Sequence, residues 1–367
     1  MEIILGKTLS ELQEVALSVG LPKFAGKQLA EWLYVRRARS FDEMTNISLK
    51  GREALKARYS VGRYAPVREA VSIDATHKYL FQISNLQSPI SIDERQFIES
   101  VYIPEEDRAT LCVSTQVGCK MGCRFCMTGT LGFHGQLSAA DILNQLFEID
   151  DIQTTNDQRP TTNLVLMGEG EPMDNLDNVL RALEILTADY GCAWSPKRIT
   201  VSSVGVLPAL QRFIEQSDCH LAISLHNPFA DEREAIMPAQ MAWPVEDVIN
   251  LLKQYDWSHQ RRVSFEYICF DGQMVNGQPV HNISPRHAKQ LIRLLHDLPC
   301  RINLIRFHEN PTINDQSLTT NDHRLTTITW FRDYLTDHGL TTTIRKSRGE
   351  DILAACGMLV NALQNEK

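Results

Sequence analysis

The chain of 367 residues lacks the sequence features of a membrane or exported protein. Its longest apolar runs fall far short of the ~20 residues that span a bilayer. The N-terminus, residues 1–7, lacks the charged-then-apolar pattern of a signal peptide. Neither a repeat of fixed period nor a low-complexity segment is present, so a repeat architecture is not indicated. We therefore expect a cytoplasmic protein without membrane contact, in which thiols stay reduced.

The sequence also lacks an overall positive charge, but its charges are unevenly distributed. The net charge of −8 does not by itself indicate a nucleic-acid partner. Residues 1–68, however, carry 12 Lys and Arg against 7 Asp and Glu, with Tyr34, Tyr59 and Tyr64 among them. Such a module can contact phosphates and stack on bases, although a solvated helical surface explains the charges equally well. The basic residues in question are Arg36, Arg37, Arg39, Arg52, Lys56, Arg58, Arg63 and Arg68.

Hydrophobic periodicity predicts short helices over residues 5–60, strands around 77–104 and then six strand–helix units. This alternation predicts an α/β fold with a parallel sheet curled into a partial (β/α)6 barrel, although a flat doubly wound sheet fits the pattern as well. The polar stretches 151–162 and 271–283 are predicted to be loops. The six predicted strands are Leu111–Ser114, Asn163–Met167, Arg198–Ser202, Leu221–Leu225, Val263–Cys269 and Arg301–Phe307.

Three of the nine cysteines lie in one short loop after the first of these strands. Cys119, Cys123 and Cys126 have a spacing that lets three thiolates face one point. A cubane iron–sulfur cluster normally takes four ligands, so three cysteines would leave one iron open to another ligand. Structural zinc is the alternative, but it is normally closed by a fourth protein ligand, and no nearby Cys or His supplies one.

Further candidate residues follow the predicted strands, where barrels of this type carry their chemistry. Gly170 and Glu171 lie in a Gly-Glu-Gly-Glu-Pro turn that can approach a ligand and bind its amino group, or can simply be a tight turn. Two thiols outside the loop, Cys112 and Cys356, are either reactive or small buried residues. Hydroxyl and imidazole groups at the ends of the next strands are Ser202, Ser224 and His226.

Several motifs together resemble the RlmN/Cfr family of radical S-adenosylmethionine (SAM) RNA methyltransferases, with the RlmN branch closer. The resemblance rests on Glu-Ser-Val-Tyr-Ile-Pro from Glu99, Cys-Lys-Met-Gly-Cys-Arg-Phe-Cys from Cys119, and Gly-Glu-Pro at 170–172. It rests also on Ser-Leu-His at 224–226 and on Arg-Gly-Glu-Asp with Ala-Ala-Cys-Gly at 348–357. The resemblance implies a helical N-terminal accessory domain that contacts RNA (1–68), a β-rich connector (69–104), a radical SAM barrel (105–351) and a tail (352–367).

The resemblance also implies a role for each matching residue. Cys119, Cys123 and Cys126 would ligate a 4Fe–4S cluster. Cys356 would carry a methyl group, Cys112 would resolve the adduct, and Glu99 would accept a proton. The family usually has an Asn after the sixth strand that touches SAM; here His308 takes that place, with Asn310 as the alternative. The other residues around SAM would be Gly170, Glu171, Ser202, Ser224, Leu225 and His226.

The implied reaction methylates carbon 2 of an adenosine in the peptidyl-transferase loop of 23S rRNA and of the adenosine 3′ of the anticodon in tRNA. Two SAM molecules would be used per turnover: one methylates Cys356, and the second yields the radical that activates this methyl group. A flavodoxin-type protein would supply electrons to a monomeric enzyme. The alternatives are a Cfr-like methylation of carbon 8 and a non-catalytic iron–sulfur protein that binds RNA or senses redox state.

Overall fold

Strands of this protein form one large sheet and three two-stranded pairs. The computed structural model describes residues 1–83, 97–156, 158–257, 263–308 and 321–359, without the side chains of 321–325. The strands are β1 (Glu2–Ile3), β2 (Tyr59–Ser60), β3 (Arg68–Val71), β4 (His77–Gln82), β5 (Phe97–Pro104), β6 (Ala109–Cys112), β7 (Gln116–Gly118), β8 (Phe133–Gln136), β9 (Asn163–Leu166), β10 (Ile199–Ser203), β11 (His220–Ser224), β12 (Val263–Cys269), β13 (Asp271–Val275), β14 (Gln278–His281), β15 (Cys300–Arg306) and β16 (Thr341–Ile344).

The large sheet has ten strands in the order β16-β15-β12-β11-β10-β9-β6-β5-β4-β3. The seven strands from β6 to β16 run parallel to their neighbours. Strands β3, β4 and β5 extend the sheet beyond β6 in antiparallel pairs. The order of the seven parallel strands follows the chain without reversal, whereas a doubly wound sheet requires a reversal of strand order.

Contacts across the inner face show that the sheet is curled. Arg345 follows β16 and Met167 follows β9, five places away in the sheet, yet Arg345 Nη1 lies 3.8 Å from Met167 Sδ. The same nitrogen lies 3.3 Å from Glu266 Oε2 on β12. Side chains from strands so far apart meet only across a concave face, so the partial barrel is the observed form of the predicted α/β fold.

All six predicted barrel strands are present within a few residues, as β6, β9, β10, β11, β12 and β15. The predicted alternation is therefore confirmed, and the structure adds β16 as a seventh parallel strand. No helix among the described residues is long and apolar enough to cross a membrane.

The helices are α1 (Leu9–Ser18), α2 (Ala25–Ala30), α3 (Leu49–Arg58), α4 (Met127–Leu131), α5 (Ala139–Thr155), α6 (Leu176–Thr187), α7 (Leu207–Gln216), α8 (Ala230–Ile236), α9 (Val245–Leu252), α10 (Pro285–Leu294) and α11 (Asn321–Asp337). Ser138 caps α5 as predicted, and its hydroxyl accepts from the backbone N–H of Asp141 at 3.2 Å. Ser284 caps α10 in the same way, with Pro285 at the first helical position.

One predicted loop is wrong in its first half, and the other is wrong over most of its length. Helix α5 continues to Thr155, with Gln153 buried, so 151–155 are helical, whereas 158–162 form no helix or strand, as predicted. Segment 271–283 contains the hairpin β13–β14. Its turn residues Asn276 and Gly277 both have positive φ, 51° and 77°. Asn-Gly is a favoured dipeptide for such a two-residue hairpin turn, so the sequence did carry a signal for it.

The N-terminal helices α1–α3 share one continuous hydrophobic core with the barrel. Three arginines of the basic module form ion pairs with acidic residues of α5 rather than a solvated surface. Arg63 Nε lies 2.7 Å from Glu148 Oε1, and both side chains are almost fully buried. Arg37 pairs with Asp150 at 3.0 Å, and Arg39 pairs with Glu148 at 2.9 Å. These three arginines therefore hold the module to the barrel.

The buried pair predicts a large effect on stability. Arg63→Met should lower the free energy of unfolding by about 3–5 kcal/mol, because the buried carboxylate of Glu148 loses the positive charge of Arg63 beside it. Arg36→Met, which removes an exposed pair with Glu31, should cost less than about 1 kcal/mol. Urea denaturation of both variants measures the difference. Equal effects would show that the α5 pairs do not fasten the module.

Candidate active site

A cavity of about 150 Å³ lies at the carboxyl ends of the parallel strands. Its wall is formed by the loop before α4, by the turns after β9, β10 and β11, and by the C-terminal segment. Nine of the residues predicted from the sequence line this one cavity. They are Cys119, Cys123, Cys126, Gly170, Glu171, Ser202, Ser224, His226 and Cys356.

The cysteine loop connects β7 to α4 and is fixed by backbone hydrogen bonds at both ends. The N–H of Cys119 donates to Gly132 O at 2.9 Å, and the N–H of Cys126 donates to Cys123 O at 3.1 Å. Gly118 has φ of 69°, and a Cβ there would lie 1.8 Å from Gly132 O. Glycine is therefore required just before the first cysteine, where the loop turns back on itself.

The three thiols fit an iron–sulfur cluster by their chemistry and their common cavity. Withdrawal from water raises the pKa of Cys119 to about 12 and also raises the pKa values of Cys123 and Cys126. Thiolates at such positions need a nearby cationic partner, which iron supplies. In the described part of the chain, no group of three or more His, Cys, Asp or Glu is placed closely enough to hold a metal ion.

The Gly-Glu-Pro turn carries a buried carboxylate at the edge of the cavity. Both oxygens of Glu171 accept backbone N–H groups, from Met173 at 3.0 Å and from Val204 at 2.9 Å. Burial raises the pKa of Glu171 to about 7 despite these bonds. Gly170 has φ of 97°, and a Cβ there would lie 2.5 Å from Gln116 Cβ. The turn therefore holds a carboxylate that a bound ammonium group would favour in its charged form.

His226 is held as a neutral imidazole against the cysteine loop. Its Nδ1 accepts the N–H of Ile268 at 3.0 Å, so the ring carries its proton on Nε2. Burial and the nearby Arg233 lower the pKa of His226 to about 3. The ring of Phe125, the aromatic residue of the cysteine motif, meets the imidazole edge to face at 4.9 Å.

Cys356 is exposed on a C-terminal segment that is anchored on both sides. On one side, Asp351 accepts from Ser72 Oγ at 2.5 Å and from the N–H of Ile73 at 3.1 Å, both in the β3–β4 turn. On the other side, the N–H of Met127 donates to Gly357 O at 2.8 Å. These contacts hold the Cys356 thiol beside the cavity without burying it.

Cys112, the last residue of β6, lies close to Cys356. Burial, followed by the charge of Cys356, raises the pKa of Cys112 to about 12, so this thiol is protonated at neutral pH. The structure thus brings together two cysteines that are 244 positions apart in the sequence. Both are free thiols, as are the other seven cysteines.

Glu99 lies on β5 outside the residues that line the cavity. Its carboxylate pairs with Lys78 Nζ at 3.0 Å, and its backbone N–H donates to Glu169 Oε1 at 2.9 Å. Burial and the charge of Glu99 raise the pKa of Glu169 to about 8. Glu169 is therefore mostly protonated near neutral pH.

Two other predicted contacts are not among the cavity-lining residues. Leu225 is buried in the core; its backbone N–H donates to Glu266 O at 3.0 Å, and its carbonyl accepts from Arg233 Nε at 3.0 Å. His308 Nε2 lies 2.8 Å from Ser347 Oγ, and Nδ1 lies 3.5 Å from Glu350 of the C-terminal segment. Asn310 lies outside the described residues. Contact between SAM and His308 stays a prediction.

Sequence reasoning missed Glu266, Arg345 and Met167, which also line the cavity. Glu266 is buried on β12, where it accepts from Asn303 Nδ2 at 2.7 Å. A charged residue within the apolar run Val263–Cys269 was a usable signal, because alternation along the strand places it on the inner face. No comparable pattern marks Met167, which lies beside Arg345 in the cavity because the sheet is curled.

The sequence matches known families over most of its length. Residues 4–61 match the ribosomal RNA large subunit methyltransferase N-terminal domain, and residues 113–276 match the radical SAM superfamily. A probable dual-specificity RNA methyltransferase RlmN of Bacteroides fragilis is 54% identical, with 99% of this chain and 97% of that protein covered. The dual-specificity RNA methyltransferase RlmN of Geobacter sulfurreducens is 37% identical, with 98% and 92% covered.

A solved structure has the same architecture. The crystal structure of a radical SAM methyltransferase from Sphaerobacter thermophilus superposes with a TM-score of 0.85 and 33% identity. The match covers 98% of this chain and 100% of that one. The similarity thus includes the N-terminal helices and the strand extension as well as the barrel.

The anchor of the C-terminal segment can be tested directly. Asp351→Ala removes two hydrogen bonds to the β3–β4 turn, and we expect about 1 kcal/mol of lost local stability. Amide hydrogen exchange in residues 349–357 should then accelerate roughly fivefold. Asp333→Ala, which removes an exposed ion pair on α11, is the control and should leave this segment unchanged. Identical exchange in both variants would exclude Asp351 as the anchor.

Proposed function

Since this chain belongs to the RlmN family of radical SAM RNA methyltransferases, we propose that it methylates carbon 2 of an adenosine in the peptidyl-transferase loop of 23S rRNA and of the adenosine 3′ of the anticodon in tRNA. The methyl group is carried on Cys356. The observation that carries the proposal is the position of Cys356 on the same cavity as Cys119, Cys123 and Cys126, with Cys112 close by. A non-catalytic iron–sulfur protein would not need these two additional thiols.

Superfamily membership implies a 4Fe–4S cluster and SAM. The cluster would be held by Cys119, Cys123 and Cys126 on one wall of the cavity, and SAM would be held by the turn at Gly170 on the other. When bound, the cluster and SAM supply a methyl group and the one-electron reaction that activates this methyl group. Two SAM molecules are used per turnover. A flavodoxin-type protein provides the electron. Glu171 takes up the amino group of SAM. Ser202 and Ser224 offer hydroxyl groups to its polar oxygens.

Cys356 suits the role of methyl carrier because it is both accessible and fixed. Its exposed thiol can reach SAM on one side and an RNA base on the other, while the contacts of Asp351 and Gly357 limit its movement. A carrier on a freely moving tail would lose the advantage of proximity.

Cys112 suits the role of resolving thiol because it is buried and therefore unreactive in the resting protein. Its raised pKa keeps it protonated in the resting protein, so it does not compete with Cys356 for a methyl group. In the release step, its sulfur bonds to the sulfur of Cys356 as the bond from that sulfur to the RNA-bound carbon breaks. A thiol reductant then restores both cysteines.

Glu99 is proposed to receive the proton that leaves the adenine ring. The salt bridge with Lys78 favours its ionised form, and Glu169 beside it holds a proton in the resting state. Because Glu99 does not line the cavity, the proton would reach it through groups at the cavity wall.

RNA contact by residues 1–68 is proposed to depend on side chains that the α5 ion pairs leave available. Lys23, Phe24 and Lys27 are exposed on and before α2, and Phe24 exposes 65% of its surface. An exposed aromatic ring between two lysines can stack on a base while the ammonium groups contact phosphates.

Cys356→Ala should abolish methylation because no other residue of the site offers a methyl acceptor. After incubation with SAM and RNA, mass spectrometry of digested RNA should detect no 2-methyladenosine. Cys192→Ala, at a half-buried thiol whose Sγ contacts Tyr34 O, is the matched control and should retain activity. Normal 2-methyladenosine formation by Cys356→Ala would rule out the carrier role, and 8-methyladenosine from the parent chain would indicate the Cfr-like reaction.

Cys112→Ala should stop the reaction after the methyl carbon has joined the RNA. The expected product is a covalent protein–RNA adduct at Cys356, visible as a shifted band on a denaturing gel and absent from the double variant with Cys356→Ala. Release of methylated RNA at the parent rate would count against Cys112 as the resolving thiol.

A further inference from the structure

Arg233 is a fully buried cation directly behind the wall of the cavity. Its Nη2 donates to the carbonyls of Val204 at 3.1 Å and of Ser224 at 3.0 Å, and its Nε donates to Leu225 O at 3.0 Å. Its Nη1 donates to Gln240 Oε1 at 2.7 Å. Val204 and Ser224 themselves line the cavity, so the guanidinium is separated from it by a single layer of residues.

All of these acceptors are neutral. Among the described residues, no carboxylate lies within ion-pair distance of Arg233, which exposes 0% of its surface; the carboxylate of Glu246 acts on its charge only from beyond that distance. A buried charge without a counter-ion destabilises a protein by several kcal/mol, even when its hydrogen bonds are satisfied. Neutral donors could satisfy three carbonyls and an amide. The presence of a charged arginine at this position therefore indicates that an anion binds nearby.

The helix that carries Arg233 is fixed to the cysteine loop. Between Cys123 and Cys126, the N–H of Arg124 donates to Ile236 O at 2.9 Å, and Arg124 Nη1 donates to Ala235 O at 2.9 Å. Both acceptors belong to α8, as does Arg233. The Cys123 sulfur and the guanidinium therefore keep a constant separation, and their charges act on each other.

We infer that Arg233 is the built-in countercharge of the iron–sulfur cluster and raises its reduction potential. Three thiolates outweigh the positive charge of an oxidised cubane, so the ligated cluster is an anion, and its reduction adds a further negative charge. A fixed cation behind Cys123 stabilises the reduced form more than the oxidised form. The inference rests on the cluster that superfamily membership implies and is independent of which carbon of adenine is methylated.

The carboxylate of SAM is a second anion that the cavity can receive. It would also interact with Arg233, but only while SAM is bound. The cluster remains in the protein between turnovers. Measurement without SAM therefore isolates the effect of Arg233 on the cluster, and a change seen only with SAM present would assign the arginine to SAM binding instead.

Gln240→Glu provides a test that preserves every hydrogen bond of Arg233. Gln240 Oε1 accepts from Arg233 Nη1 at 2.7 Å and from the N–H of Val245 at 3.1 Å, and a carboxylate can accept both. The variant gives Arg233 an adjacent counter-ion and so cancels its charge as seen from the cluster. Arg233→Met is the second variant, because it removes the charge of the side chain outright. Gln254→Glu adds the same charge at an exposed position.

The measurement is a redox titration of the full chain reconstituted with iron and sulfide, without SAM, followed by electron paramagnetic resonance of the reduced cluster. Gln240→Glu should lower the ratio of reduced to oxidised cluster about tenfold at a given potential, which is a shift of about 59 mV to more negative values. Arg233→Met should shift in the same direction as Gln240→Glu, whereas Gln254→Glu should titrate with the parent chain.

Equal potentials for Gln240→Glu and Gln254→Glu would overturn the inference and leave Arg233 as a structural tie between the ends of β10 and β11. A parent-like potential in Arg233→Met would also overturn it, because the cluster would then not respond to loss of the arginine charge. A parent chain that takes up no iron would remove the cofactor assignment and this inference together. Loss of RNA methylation with a normal cluster potential would instead concern the proposed function alone.

Discussion

The attachment of the C-terminal segment to two distant parts of the fold is the constraint on which the site depends. One attachment is the β3–β4 turn, which binds Asp351, and the other is the start of α4, which binds Gly357. The strands β3–β5 lie outside the parallel barrel, yet without them the segment would have no support on that side. The barrel alone therefore cannot place Cys356, and the antiparallel extension is a functional part of the sheet.

This constraint explains which parts of the site could be predicted from the sequence. The spacing of Cys119, Cys123 and Cys126 is local, and so are the caps of α5 and α10, because each involves residues within one loop or turn. The bond between Ser72 and Asp351 joins residues 279 positions apart, and no local pattern indicates it. For Cys112 and Cys356, family resemblance alone suggested that the two thiols work together.

Charge composition was the weakest guide. It located a basic module correctly but could not tell whether its arginines face solvent or a partner helix. Arg63 and Glu148 are both buried, and their pairing depends on how α5 lies against the module. The surface that remains for RNA is therefore smaller than the sequence suggests. The hairpin at Asn276 was missed for a different reason: its turn signal was present, but the surrounding polar residues were given more weight.

Two buried charged groups flank the cavity, and they differ in how their charge is balanced. Lys78 has Glu99 within 3.0 Å, so this pair is compensated within the protein whether or not the site is occupied. Arg233 has only neutral acceptors. A compensated pair produces a weak field at a distance, whereas a lone cation produces a field that extends into the cavity. The β5 side therefore holds an ion pair that is compensated within the protein, whereas the α8 side holds a buried arginine without an adjacent counter-ion.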